Sequence, residues 1–352
     1  MTTSEAATAA SPAASPAASS TAAAAAALAV PAGRPRRATL VNQVLAARRY
    51  FLEGASKSEI AVELGVSRFK VARLLDEALR DGVVRIEIEP HPDIDAALSE
   101  ELARANGIRS AVVVRTIDGP EEFRQAQLGR AGATLLAETL EARDVLGISW
   151  GRTLHAMAGH LPRLSGCTVV QLVGSVPTLD LEVNSLELVR RLAERATGPV
   201  HALHVPLLVD TAETAATLRR DPHAARTIEM FDHLTRAVVG IGSWAAGGST
   251  VRAALDPATA RATDEAGGVA DVCSIVIAAD GSEVRAGGLP DRCIAIRSEQ
   301  LRRVPDVVAI AAGADKVPAI RAALRSGLIH RLVTNEETAS LLLVDQSRSI
   351  SA

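Results

Sequence analysis

The sequence predicts a two-part α/β protein: a small N-terminal helix-turn-helix unit of the winged type, then a Rossmann-like domain built on a mostly parallel sheet. Three observations carry this expectation. Ser56 to Arg80 reads as two short helices joined by a tight turn. From Ile94 onward, short aliphatic runs alternate with longer helical patterns. Charge is divided between the parts, with nine Lys/Arg against three Asp/Glu from Arg34 to Leu75 and an acidic balance beyond Glu89.

Composition sets the outer bounds. At 352 residues, 48% hydrophobic and 22% charged, the chain is long enough for two domains and too apolar for a disordered one. A net charge of −3 excludes a surface coated in positive charge, so any nucleic-acid contact has to come from a local patch. Aromatic residues are only 2%, which argues against reading single strands or RNA by stacking. Cys167, Cys273 and Cys293 are odd in number and show no C-x-x-C spacing, so neither a disulfide framework nor a zinc ribbon is expected. No apolar run approaches the ~18 residues of a membrane span, and the N-terminus lacks the pattern of a signal peptide. The expectation is a cytoplasmic protein without membrane, metal or cofactor.

Residues 1–36 are Ala, Ser, Thr and Pro almost throughout, a composition too poor in large apolar groups to offset its ordering entropy, and are expected to be disordered. Arg34, Arg36 and Arg37 form a basic arm that touches DNA phosphates or is simply solvated. The first domain spans 37–89. Leu40 to Leu52 reads as an amphipathic supporting helix. Ser56 and Glu59 have capping-box spacing, so the next helix starts near Lys57, with Ile60, Ala61 and Leu64 apolar and Gly65 ending it. Ser67 is an N-cap for a second helix with a buried stripe at Val71, Leu74, Leu75 and Leu79. Its cationic side, Arg68, Lys70 and Arg73, suits the major groove. The candidate DNA contacts are therefore Lys57, Ser67, Arg68, Phe69, Lys70 and Arg73. An ordinary surface hairpin with a charged face is the competing reading of this stretch alone. Val83, Val84, Ile86 and Ile88 alternate as a short strand, and Pro90-His91-Pro92 is a stiff linker.

Residues 90–110 are expected to be linker and helix, and 111–352 the second domain. Its strand candidates are Ala111–Arg115, Val145–Ser149, Thr168–Val173, Val200–Leu203, Ala237–Ile241, Val272–Ala278 and Val307–Ala311. Helices fall at Glu121–Leu140, Thr153–Leu161, Asn184–Ala196, Lys316–Arg325 and Asn335–Leu343. Such a sheet binds ligands at the carboxyl ends of its strands. Four loops stand there. Residues 147–153, Gly-Ile-Ser-Trp-Gly-Arg-Thr, bring Ser149, Gly151, Arg152 and Thr153 to a helix N-terminus, where free N–H groups and the dipole favour an anion such as phosphate. Gly174-Ser175, Gly240 with Gly242, and Gly313 to Lys316 follow other strands; each glycine alone is more often structural. Lys316 is one of only three lysines against 35 arginines; it either holds a ligand or is solvated. His201-x-x-His204 has near-ligand spacing without a third ligand.

Several blocks in one order resemble the SorC/DeoR-type sugar-binding transcriptional regulators: residues 47–88, LGISWGRTL, VVQLVGS, VGIGSW, GGVADVC and the stretch from AAGADK to TASLLL. The resemblance implies a bacterial repressor or activator whose large domain is similar to sugar-phosphate isomerases of the NagB/RpiA-like type and binds a sugar, polyol or phosphate ester without turning it over. It places Ser149, Gly151, Arg152 and Thr153 in the effector-phosphate loop, Gly174, Ser175, Gly240 and Gly242 along the pocket, and Asp271, Lys316 and Glu336 among its polar contacts. Two departures stand out. The family pattern Gly-Asp-[Val/Ile]-Cys-Gly has Ala270 and Ser274 here, followed by Ile275 and Val276, and Thr-Asp-Glu is Thr334-Asn335-Glu336.

The implied partners are palindromic double-stranded operator DNA, a phosphorylated carbohydrate effector and further copies of the chain in a homodimer or homotetramer. The competing class is a sugar-phosphate isomerase or deaminase with an appended DNA-binding module, for which Asp271, Glu336 and His330 offer acid–base groups. A protein-binding adaptor has less support, because the basic charge is concentrated where DNA contact requires it.

Overall fold

A computed structural model of the protein describes residues 37–85, 93–115, 120–164, 166–176, 185–245 and 248–350. The tail at 1–36, Ile86 and Ile88 of the expected strand, and the Pro-His-Pro linker lie outside them. The chain divides into two compact units, Met1–Ile88 and Glu89–Ala352.

In the first unit, α1 (Arg37–Ala47) runs into a π-helical turn at Arg48–Leu52, followed by α2 (Lys57–Leu64) and α3 (Arg68–Arg80). The capping box at Ser56 is formed in both directions, Glu59 N donating to Ser56 Oγ at 3.3 Å and Ser56 N to Glu59 Oε2 at 2.8 Å. Gly65 ends α2 in the left-handed region at φ 62°, which a Cβ would oppose. The core is small-residue packing: Ala46, Ala47, Ile60, Ala61, Val71, Leu74, Leu75 and Ala78. Two expectations are corrected. Ala78, not Leu79, completes the buried stripe of α3, because the stripe is centred on Val71, Leu74 and Leu75 and Leu79 points past its edge. The α1 face turned inward is Gln43, Ala46 and Ala47 rather than its larger apolar residues; small side chains let it approach α3, and Gln43 Nε2 donates to Asp81 Oδ2 at 3.0 Å. Val83 to Arg85 form a bend, not a strand, with Val84 N bonded to Ala78 O at 3.0 Å.

The second unit is a seven-stranded sheet in the order β1-β10-β9-β5-β2-β3-β4, parallel throughout. Its strands are β1 (Ser110–Val114), β2 (Val145–Ile148), β3 (Thr168–Gln171), β4 (Val200–His201), β5 (Arg236–Val239), β9 (Asp306–Ile310) and β10 (Arg331–Asn335). Successive residues face opposite sides. Val170, Ala237, Val239, Val307 and Ala309 pack into one apolar layer, while Val169, Val238, Val308 and Ile310 pack into the other. This double burial is why the strands read as continuous aliphatic runs. Asp306, buried at the amino end of β9, gathers three guanidinium groups: Arg331 Nε at 2.8 Å, Arg109 Nη1 at 3.0 Å and Arg236 Nη1 at 3.3 Å.

A second, antiparallel sheet joins β6 (Gly242–Ser243), β7 (Gly268–Val272) and β8 (Ile275–Ala278). The expected single strand Val272–Ala278 is thus broken. Cys273 (φ 53°) and Ser274 (φ 68°) make a two-residue turn between β7 and β8 with both centres at positive φ. The strand β10 was not expected at all, and Asn335 closes it; Asn335 Oδ1 then accepts from Thr338 N at 3.1 Å, starting α15 (Glu336–Ile350).

Candidate functional site

The chain leaves β2 and reaches β3 on one side and β5 on the other, so β2 and β5 are neighbours across the point where strand order reverses. In a parallel sheet this is where loops diverge and a crevice opens at the carboxyl ends. A cavity of about 360 Å³ lies there, lined by Ser149 to Leu154 after β2, Gly240 to Gly242 after β5, Gly248 to Val251, Asp271, Cys273 and Lys316, with Gln125 and Ile310. Of the residues expected in an effector site, the fold brings together Ser149, Gly151, Arg152, Thr153, Gly240, Gly242, Asp271 and Lys316.

The helix that opens onto this cavity, α6 (Arg152–His160), starts at Gly151, whose φ of 134° and ψ of 155° suit glycine alone, and no side chain caps its first turn. Its N–H groups are therefore presented to the cavity side of the loop. The position of α6 is fixed by α5 (Glu121–Thr139): a Cβ on Gly129 would stand 2.6 Å from Met157 N, so the two helices touch through backbone. Arg152 is half exposed and forms a long ion pair, 3.7 Å, with Glu121 at the start of α5.

Asp271, on β7, is a buried residue of the same lining. Burial raises its carboxyl above the usual carboxylate range, opposed by the Ser249 hydroxyl and then by the charge of Lys316. Its Oδ2 is buried and makes no hydrogen bond within the protein. Next to it the Cys273 thiol is pushed up to about 12 by burial, against a bond from Ser149; at neutral pH it is an inert, protonated group. The lysine's loop is held by Gly313 N donating to Thr338 Oγ1 at 2.9 Å. The cavity lining thus combines an uncapped helix start, the cations Arg152 and Lys316, and the buried Asp271, on which the charge of Lys316 acts. Its size and polar lining suit a small polyhydroxyl compound.

Three expected residues lie elsewhere. Gly174 and Ser175 continue β3 and bond to Ile294 O and Val205 O, both at 2.9 Å. A Cβ on Gly174 would come within 2.7 Å of Leu207 N, so this glycine makes room for backbone. Glu336 pairs with Arg115 at 3.4 Å and does not line the cavity. Sequence reasoning passed over Gln125, Ser249 and Thr250. For the last two a signal existed: Gly-Gly-Ser-Thr at 247–250 is a glycine pair followed by an N-cap, and Ser249 caps α10 (Thr250–Ala253), accepting from Arg252 N at 3.1 Å.

In the first unit, α3 exposes Arg68, Phe69 and Arg73, while Lys70 is half-buried. Ser67 is its N-cap, accepting from Lys70 N at 3.2 Å. Lys57 Nζ lies 5.6 Å from the centroid of the Tyr50 ring. Among the described residues, no group of three or more His, Cys, Asp or Glu is placed to hold a metal ion, and no helix is long and apolar enough to cross a membrane.

A helix-turn-helix unit followed by a parallel α/β unit with a polar cavity at its switch point defines a ligand-responsive regulator class. The comparisons with known proteins agree. Residues 91–344 match the family model described as "Putative sugar-binding domain". The erythritol catabolism regulatory protein EryD of Brucella abortus is 31% identical over 303 residues, 85% of this chain and 95% of that protein. The deoxyribonucleoside regulator of Bacillus subtilis is 29% identical over 303 residues, 85% of this chain and 96% of its own. The crystal structure of the full-length sorbitol operon regulator SorC from Klebsiella pneumoniae superposes with a TM-score of 0.66 at 28% identity, covering 86% of this chain and 99% of that one. The chain belongs to this family of SorC/DeoR-type transcriptional regulators with a sugar-binding domain.

Proposed function

We propose that the protein controls a carbohydrate or polyol catabolic operon, binding palindromic operator DNA through α3 as a homodimer or homotetramer in the cytoplasm, with a phosphorylated sugar or polyol in the cavity as effector. One observation carries the effector half: an uncapped helix start, Arg152 and Lys316 face the same 360 Å³ cavity as the buried Asp271. A phosphate is matched to the first three and sugar hydroxyls to the carboxylate. The effector set under this reading is Ser149, Gly151, Arg152, Thr153, Gly240, Gly242, Asp271 and Lys316, extended by Ser249 and Thr250; Gly174, Ser175 and Glu336 act through the loops they support. Lys57, Ser67, Arg68, Phe69, Lys70 and Arg73 are the proposed DNA contacts. Relatives named for sorbitol, erythritol and deoxyribonucleoside control support the carbohydrate class. An ancestry shared with sugar-phosphate isomerases belongs to the same proposal.

Binding without turnover is favoured over catalysis. Asp271, with its raised carboxyl, is the kind of group a general base requires. The other acid–base candidates stand apart from it: His330 Nδ1 accepts from Val307 N at 3.0 Å at the amino end of the sheet, and Glu336 is paired with Arg115.

A thermal-shift screen of sugars, polyols and their phosphates tests the reading. A ligand of the native state raises the melting temperature, so a phosphorylated hit is expected, lost in Arg152→Ala. The hit should also change operator binding in a gel shift, with a coupling of about 1–3 kcal/mol. Hits confined to unphosphorylated compounds would refute the phosphate loop, and turnover of the hit would refute the regulator-only reading.

A further inference from the structure

On α3 the residues opposite the buried line of Val71, Leu74, Leu75 and Ala78 are Phe69, Arg73, Asp76 and Arg80, spaced i, i+4, i+7 and i+11. Phe69 is 87% exposed, the most exposed large apolar side chain among the described residues. A single exposed apolar residue is unremarkable by itself. This one is on the first turn of α3, on the outermost line, directly N-terminal to Arg73 and next to Arg68. A phenyl ring so placed gains nothing from the protein's own core, yet it stands among the exposed cations Arg68 and Arg73 of the helix.

We propose that Phe69 is a specificity-determining residue that packs against the 5-methyl group of a thymine in the major groove. The inference rests on the reading of α3 as the DNA-reading helix. Thymine is the base whose major-groove edge carries an apolar group, and an aromatic ring is one of the side chains that contacts it. Arg73 on the same line has the chemistry to bond a guanine edge bidentately. Four residues of helix advance about 6 Å, and base pairs stack about 3.4 Å apart, so the thymine lies about two base pairs from that guanine. The half-site read by one copy therefore contains a thymine and a guanine at this spacing, repeated with inverted sense in the other half.

The test begins with in vitro selection of duplexes from a random pool by the full-length protein. Each thymine of the selected half-site is then replaced by uracil, which removes the methyl group and nothing else. Wild-type protein is expected to lose about fourfold in affinity per half-site at one thymine, the worth of a buried methyl. Phe69→Ala should bind the thymine and uracil duplexes equally at that position and retain its preference for the guanine, with an unchanged melting temperature. If no thymine-to-uracil change affects wild-type binding, or if Phe69→Ala keeps the wild-type discrimination, the inference is overturned while DNA binding stands. If no duplex is enriched at all, the DNA-binding reading falls and takes the inference with it. A change of oligomer mass in Phe69→Ala, measured by light scattering, would make Phe69 a protein contact and overturn the inference as well.

Discussion

The carboxylate of Asp271 occupies the space over Gly242: a Cβ at Gly242 would stand 2.2 Å from Oδ2 and 2.9 Å from Cγ, and the two residues are cross-strand partners in β6 and β7. Gly242→Ala therefore displaces the buried carboxylate of the cavity. We expect at least a tenfold loss in affinity for the sugar phosphate found by thermal shift, and a cost of about 1–3 kcal/mol in urea unfolding from overpacking. Calorimetric titration of the variant measures the first; unchanged affinity would remove Asp271 from the ligand contacts.

Asp271 also makes stability depend on pH in a defined direction. Its carboxyl is raised in the folded state, so the folded protein holds this proton more tightly than the unfolded chain does. That contribution is present below the unfolded value and is lost as pH rises through the folded one. Asp271→Asn carries no such penalty. Its melting temperature should exceed the wild-type value near neutral pH and approach it as pH falls below about 4, where the wild-type carboxyl becomes protonated in both states. A constant difference across that window would contradict the assignment. The variant should also lose response to the sugar phosphate, a gain of stability at the expense of function.

The contact between α5 and α6 is sensitive to a single methyl group at one glycine and tolerant at the other. A Cβ on Gly129 meets Met157 N at 2.6 Å and Ala156 C at 2.8 Å, both backbone. On Gly132 it meets Ile310 Cδ1 at 2.4 Å, the free end of a side chain. Gly129→Ala should cost about 1–3 kcal/mol or more and weaken ligand binding, because the first turn of α6 lines the cavity. Gly132→Ala should be milder, since Ile310 can change rotamer and alanine favours the helix by about 1 kcal/mol. Denaturant melts of the pair decide it; equal losses would show that Ile310 cannot yield.

Ser274 is strained. Both centres of the β7–β8 turn, Cys273 and Ser274, lie at positive φ, a conformation that costs a side-chain-bearing residue about 1 kcal/mol or more. The family pattern has glycine at the second. Ser274→Gly should therefore raise stability by about 1 kcal/mol, read as a higher urea midpoint with the same slope. A lower midpoint would mean that the bond between Ser274 and the Cys293 thiol outweighs the strain.

Local chemistry was legible in the sequence; pairings across long separations were not. The capping box at Ser56 and Glu59, Gly65 and the Ser67 cap depend on residues within one turn, and the structure has all three. The aliphatic strands of the main sheet were visible because double burial makes them continuous. Arg331–Asn335 escaped because its polar ends disguise a strand that is buried only in the company of β1 and β9. The Cys273–Ser274 turn was missed because nothing in an aliphatic run announces positive φ without glycine. At the cavity, the loops after β2, β5 and β9 were found from their glycines and polar residues. Gly174-Ser175 carries the same signal, yet its glycine serves backbone packing against Leu207, which only the fold reveals.

Asp306 and its three arginines join the amino ends of β5, β9 and β10 and the approach to β1, at the pole of the sheet away from the cavity. Replacing Asp306 leaves Arg236 and Arg331 without their shared buried carboxylate and costs about 3–5 kcal/mol, whereas the opposite pole carries the loops that line the cavity. Random substitutions should therefore sort along the strand axis into two phenotypes. Lesions around Asp306 should be temperature-sensitive, with function recovered by growth in the cold. Replacement of the Asp271 carboxyl or the Arg152 guanidinium should give an induction-blind protein at every temperature. Inheritance can then retune what the molecule senses without renegotiating whether it folds.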